Sequence, residues 1–171
     1  MTDPTPAIDP RRTALLVMDY QNGIVGRLED ADFDAIPPAS QFAGLVAQSG
    51  RAMHADSPAT AVHESVAPEP GDIVVRKTRV GAFSTTDLDD QLKAHEVQTL
   101  VLAGISTSGV VLSTVRDAAD RDYQVFVLTD ASADPQPGVH EFLTEKIFPR
   151  QARVITTAEL EQLLEAAPAR S

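Results

Sequence analysis

The chain has 171 residues, 43% of them hydrophobic and 23% charged, which is enough to bury a core and excludes a disordered or fibrous sequence. Its 14 Lys and Arg against 25 Asp and Glu leave a net charge of −11, which disfavours nucleic acid and anionic membrane surfaces as partners. With no cysteine, disulfides, thiolate metal sites and cysteine nucleophiles are all excluded. No apolar run approaches the roughly 20 residues of a membrane span. Met1 to Arg12 is rich in proline and aspartate and has no apolar stretch of the signal-peptide kind. The expectation is a single cytoplasmic domain over residues 1–171, with 1–12 as a flexible arm.

Four short apolar runs read as strands in chain order: Ala14–Met18, Ile73–Val75, Thr99–Ala103 and Gln124–Leu128, with a weaker one at Arg153–Thr156. They are continuous rather than alternating, the pattern of strands covered on both faces of a parallel sheet. Helical spacing separates the later runs. Thr86–Ala94 carries Leu88 and Leu92, Val110–Asp120 carries Val111, Val115 and Ala118, and Val139–Phe148 carries Phe142, Leu143, Ile147 and Phe148. Ala158–Ala166 follows a capping box formed by Thr156 and Glu159. Alternating strands and helices predict an α/β sheet joined by crossovers. The stretch from Gln21 to Asp72 breaks this rhythm. It holds Pro37, Pro38, Pro58, Pro68 and Pro70 and no clear strand. One short helix is expected around Phe42, Leu45 and Val46, and another starting at Ser57 and Pro58 and ending by Pro68.

Ligands of an open parallel sheet bind at the carboxyl ends of its strands. The polar residues there are Asp19 to Asn22, Arg76 to Arg79, Ser106 to Gly109 at the start of a helix, and Thr129, Asp130 and Ser132. An acid, a lysine and a helix N-terminus are the equipment for acid–base chemistry with anion stabilisation. Each also has a plainer role. Asp19 fits a turn cap, Lys77 a solvated strand end, Asp130 a loop cap, and Ser106 and Ser108 fit helix caps because no base stands beside them. No phosphate-binding glycine motif is present. His54, Asp56 and His63 match no metal-site spacing, so no metal and no cofactor is expected. His95 and His140 fall on helix patterns and are expected to be exposed.

Three segments carry a family resemblance. Ala14-Leu15-Leu16-Val17-Met18-Asp19-Tyr20-Gln21-Asn22 resembles the first strand of the isochorismatase-like hydrolases, the cysteine hydrolase superfamily. Ile73 to Phe83, followed by Thr86-Asp87-Leu88, resembles that family's lysine strand. Leu100 to Thr107, with Ser113 to Ala118, resembles its nucleophile segment. Together the matches span Thr13–Asp30 and Phe33–Thr157. The resemblance implies a Rossmann-like three-layer α/β/α fold with a mostly parallel sheet. It implies a catalytic pair, Asp19 and Lys77, and an oxyanion loop Ile105, Ser106, Thr107, Ser108 and Gly109 with a cis peptide at Ile105–Ser106. Gln21 and Phe83, inside the matched motifs, are the expected substrate contacts. The implied partners are a small-molecule substrate and a second copy of the chain in a homo-oligomer.

Two departures qualify this. Counting from Gly104, the family's cysteine position holds Val110, which cannot attack a carbonyl. Amidase chemistry is therefore disfavoured. Isochorismatases that hydrolyse a vinyl ether also lack the cysteine, although their loop carries an Ala-His pair where this chain has Thr107-Ser108. Asp19 and Lys77 suffice for that reaction if the aspartate is protonated when needed. They are equally consistent with a non-catalytic ligand-binding or assembly protein. A phosphoacceptor receiver domain, which needs an acidic pair near strand one, fits poorly because Asp19 stands alone. The second departure is length. A helix–strand unit of about 30 residues is missing after Asn22. The expectation is a five-stranded sheet with the Ile73 run paired directly to the Ala14 strand.

Overall fold

The computed structural model describes residues 8–22 and 57–167. The chain packs as two compact units, residues 1–18 with 73–171, and residues 19–72. The first unit is built on four parallel strands, β1 (Thr13–Met18), β2 (Thr99–Ile105), β3 (Gln124–Ala133) and β4 (Arg153–Ile155), in the order β1-β2-β3-β4. Helices α1 (Leu88–Ala94), α2 (Leu112–Asp120) and α3 (Val139–Phe142) connect them, and α4 (Thr157–Glu165) follows β4.

The apolar runs form strands where both faces can be covered. All seven residues of β2 are buried, which is why that run shows no alternation. Strand order follows chain order, so crossovers of one hand place the connecting helices on one face. Consistent with this, Leu88 and Leu92 of α1, Val111, Val115 and Ala118 around α2, and Leu143 and Phe148 after α3 share one core cluster with Leu100, Leu102, Val125 and Val127. On the other face Val101 and Phe126 are also buried, at 1% and 0% exposure. At the sheet edge, however, Leu15 and Val17 are 55% and 48% exposed, although they stand in register with Val101 and Ala103.

The expected fifth strand is not formed. Residues Ile73 to Lys77 have no ladder partner in a strand, and Ile73 and Val74 are 53% and 68% exposed. Val75 alone packs on the core cluster. A strand needs a hydrogen-bonded partner edge and covered faces, and two of the three apolar residues of this run face solvent. The other expected strands are present, and β3 runs on to Ala133. Of the arm expected over residues 1–12, residues 8–12 are described. Ile8 is 1% exposed, and Asp9 caps the turn Pro10–Arg12 by accepting from the Arg11 backbone N–H at 3.0 Å.

In the second unit the described residues are 19–22 and 57–72. Gln21 and Val62 form an antiparallel bridge, flanked by N–H donation from Asn22 to Ala61 O (3.1 Å) and from His63 to Tyr20 O (2.7 Å). The helix expected from Pro58 is replaced by two single 3₁₀ turns, Pro58–Thr60 and Glu64–Val66. Ser57 does cap the first, as expected, but the His63 side chain caps a second start and interrupts any continuous helix. The helix expected around Phe42, Leu45 and Val46 lies outside the described residues.

Candidate active site

The carboxyl ends of β1, β2 and β3 carry the residues of interest. Asp19 follows β1 directly and adopts a left-handed φ of 60°, a conformation short polar side chains tolerate better than others. Burial pushes the neighbouring Tyr20 phenol up from its ordinary value. Gln21 is held by its bridge to Val62. Lys77 is half-buried, and its Nζ donates to Arg79 O at 3.0 Å. Downstream, Thr78 and Thr85 share a hydroxyl hydrogen bond of 2.9 Å. The Ala82 N–H donates to the buried Thr114 hydroxyl on α2.

Phe83 is not placed as a substrate contact. It is 5% exposed, its ring stacks on Tyr123 with centroids 6.0 Å apart, and the Arg121 guanidinium lies 4.9 Å from its centroid. Its faces are taken up by core and by a cation, so it serves packing. The same corner holds Asp89, which accepts from Lys93 (2.7 Å), Arg121 (2.9 Å) and the Tyr123 hydroxyl (2.9 Å). Lys93 first, then Tyr123 and Arg121, hold the Asp89 carboxyl below its usual range, while burial and then Asp89 push Tyr123 up to about 12.

The loop after β2 is the most constrained part. The Ile105–Ser106 peptide is cis, at the bond the resemblance designates. Thr107 and Val110 are 0% and 2% exposed, and residues Thr107–Val111 form a single π-helical turn that runs into α2. Such turns recur where a helix must present backbone groups irregularly. A Cβ at Gly109 would lie 2.7 Å from Ser106 Oγ, so a larger residue there would displace that hydroxyl. Ser108 is exposed, and its N–H donates to Asp134 Oδ2 at 2.7 Å. The Asp134 carboxylate is itself fixed, because its Oδ1 accepts from the Gln136 N–H at 3.1 Å.

β3 contributes through a bulge. Its register jumps from Leu102↔Val127 to Gly104↔Ser132, and the extra residues re-aim their side chains. Thr129 reaches His140 Nε2 at 3.2 Å, and Asp130 accepts from the Thr157 N–H and hydroxyl at the start of α4. Asp130 is thus the cap its sequence setting suggested, and Thr157 holds its carboxyl below the usual range. Ser132 Oγ is buried with no hydrogen-bond partner. His140, expected on an exposed helix face, is half-buried, with its Nδ1 2.8 Å from the Thr107 hydroxyl. His95 is exposed as expected.

Asp134 and His140 are the residues that sequence reasoning missed. The available signals were the Asp134-Pro135 turn and Gly138 before a helix start, and both indicate local geometry rather than the loop they reach across to. His54 and Asp56 lie outside the described residues, and His63 Nδ1 is occupied as a cap. Among the described residues no cluster of three metal-ligating side chains occurs, and no helix is long and apolar enough to cross a membrane. A depression of about 480 Å³ lies at the opposite, amino end of the strands.

The family model described as Isochorismatase domain matches residues 38–159. The uncharacterized isochorismatase family protein YwoC of Bacillus subtilis is 34% identical over 184 residues, covering 91% of this chain and 96% of YwoC. That aligned span exceeds the 171 residues of this chain, so YwoC carries residues with no counterpart here. The phenazine biosynthesis protein PhzD of Pseudomonas fluorescens is 33% identical over 180 residues, covering 90% of this chain and 86% of PhzD. Among solved structures, a cysteine hydrolase from Pseudomonas syringae superposes with a TM-score of 0.80 at 25% identity, covering 98% of this chain and 100% of that one. A parallel α/β sheet, a domain match over most of its length and relatives aligned almost end to end place this chain in the isochorismatase family of hydrolases.

Proposed function

We propose that the protein hydrolyses a small molecule through Asp19 and Lys77 without a covalent enzyme intermediate, by vinyl-ether hydrolysis rather than amide cleavage. The observation that carries this reading is Val110, a buried valine at the start of α2 where the resemblance puts the nucleophile, in a chain with no cysteine. A vinyl ether needs no nucleophile from the protein. Asp19 gives a proton to the terminal vinyl carbon, and the oxygen-stabilised cation takes up water. The resulting hemiketal then breaks to a ketone and an alcohol. Lys77 supplies the positive charge that the family resemblance pairs with the acid, and the Ser106 to Val110 backbone orients the substrate oxygen. Gln21 is the proposed polar contact to the substrate.

The test is turnover of a 1-carboxyvinyl ether, read by pyruvate release, beside a panel of amides and carbamates. Activity on the vinyl ether that Asp19→Asn abolishes supports the proposal, and activity that survives Asp19→Asn overturns it.

A second reading is a ligand-binding or assembly protein on the same fold. It is favoured by the exposed Leu15 and Val17 at the sheet edge, which also give a physical reason to expect a homo-oligomer. It requires no turnover of any panel member, together with self-association in solution.

A further inference from the structure

We propose that His140 is a positioning residue for the loop after β2, acting through Thr107, and the role rests on the hydrolase reading above. The imidazole bridges two elements. Its Nδ1 lies 2.8 Å from Thr107 Oγ1 on the cis-peptide loop, and its Nε2 lies 3.2 Å from Thr129 Oγ1 on the bulged part of β3. Thr107 is fully buried, so its hydroxyl has no water to fall back on and depends on the ring.

The ring itself is held from its own helix. Gly138, in a left-handed conformation with φ 76°, starts α3 two residues before His140, and the Thr144 hydroxyl donates to His140 O at 2.9 Å. A neutral imidazole offers one N–H and one lone pair. One threonine must therefore donate to the ring and the other accept from it, so the tautomer sets the direction of the whole relay. Thr107 is the first residue of the π-turn that carries the backbone N–H groups of Ser108, Gly109 and Val110; Ser108 donates to Asp134 and Gly109 to Ser106 O, which leaves the Val110 N–H as the proposed oxyanion donor. Asp134 ties the same turn from the other side through Ser108. Two ties from the β3–α3 segment thus fix where those N–H groups point. Asp134 does so by charge, and His140 by a hydroxyl clamp that takes up none of the turn's backbone N–H groups.

The clamp makes distinct demands on different substitutions. Gln at position 140 retains one donor and one acceptor, whereas Leu retains neither. Thr107→Val removes the hydroxyl at nearly constant shape, and Thr107→Ser keeps it. The experiment is steady-state kinetics on the 1-carboxyvinyl ether for wild type, H140L, H140Q, T107V, T107S and the H140L/T107V double variant, with amide NMR shifts of Ser108, Gly109 and Val110 in each. The expected result is a fall in kcat of tenfold or more for H140L and T107V with KM moved less than threefold. The double variant should be no slower than the worse single, and H140Q and T107S should recover most of kcat. The three amide resonances should shift in H140L and return toward wild type in H140Q. Unchanged kcat in a folded T107V, or multiplicative losses in the double variant, would overturn the proposal. If the wild type turns over nothing, the hydrolase reading falls, and the amide shifts alone then decide whether His140 positions the loop. Resonances unmoved in H140L refute it.

Discussion

Gly104→Ala is the substitution whose outcome the packing around β2 defines most closely. Gly104 pairs with Met18 on one side and Ser132 on the other. A Cβ added there would lie 3.0 Å from Met18 O, 3.2 Å from Met18 Cβ and 3.2 Å from Val110 Cγ1. The backbone φ of Gly104 is not in the left-handed region, so alanine incurs no conformational penalty there, and the unfolded chain loses freedom worth about 0.4–1 kcal/mol in alanine's favour. Against this stand three contacts that cannot easily give way. Two belong to a paired strand, and the third is a β-branched side chain with few rotamers. Overpacking of this kind costs about 1–3 kcal/mol, so it wins, and the net destabilisation should be about 1–2 kcal/mol. For a chain of this size that lowers Tm by about 3–6 °C. Urea unfolding followed by circular dichroism should show a lower midpoint with an unchanged m-value. Trimming the third contact with Val110→Ala should relieve part of the strain, giving a favourable coupling of about 0.5 kcal/mol or more in a double-mutant cycle. If Gly104→Ala is as stable as the wild type or more so, the close approach of β1, β2 and the π-turn is not as described.

Three further outcomes follow from the electrostatics and the site. The chain has two tyrosines and no tryptophan, so phenolate absorbance reports Tyr20 and Tyr123 alone. Both should titrate above the ordinary phenol value of 10, Tyr20 because it is buried and Tyr123 only at about 12. Because the folded value of Tyr123 lies above the unfolded one, its contribution to stability is complete below pH 10 and is lost as pH rises toward 12; a normal titration at pH 10 in the folded protein would contradict this. Asp130→Ala removes the acceptor at the start of α4 and should cost about 1 kcal/mol, most of a hydrogen bond to a charged group being lost to solvent at this exposed position. The Asp130 carboxyl is held below its ordinary 3.8, so its contribution is present above that pH and fades as pH falls through the lowered value. The variant and the wild type should therefore converge in stability in strong acid, and a gap that persists there points to another cause. Val110→Cys places a thiol at the start of α2 and should leave the fold intact, since it removes little volume. Amidase activity gained by this variant would show that the remainder of the family's amide-cleaving site is in place, and none should appear if Asp19 and Lys77 are arranged for proton transfer to carbon.

Much of the fold was legible in the sequence because its signals are local. The continuous apolar runs marked β1, β2, β3 and β4, the leucine and valine spacing marked α1 and α2, and Thr156 with Glu159 marked the start of α4 through a capping box that is formed in full. The motifs around Asp19, Lys77 and Gly104 carried the family, which the domain match and the relatives bear out.

What the tertiary structure alone decided depends on neighbours distant in sequence. Ile73-Val74-Val75 has the composition of a strand, yet strand formation requires a partner edge and covered faces, and here two of the three residues are exposed. Phe83 lies in a family motif beside the lysine segment, but Tyr123 and Arg121 claim its ring. His140 reads as one polar residue on a helix, and only the bulge in β3 and the turn after β2 bring Thr129 and Thr107 to its two nitrogens. Absence of cysteine was a matter of composition. That Val110 is buried at the start of α2, beside Gly104 and beneath the loop held by His140 and Asp134, is a matter of packing, because a side chain's surroundings are set by which strands pair and not by its own identity.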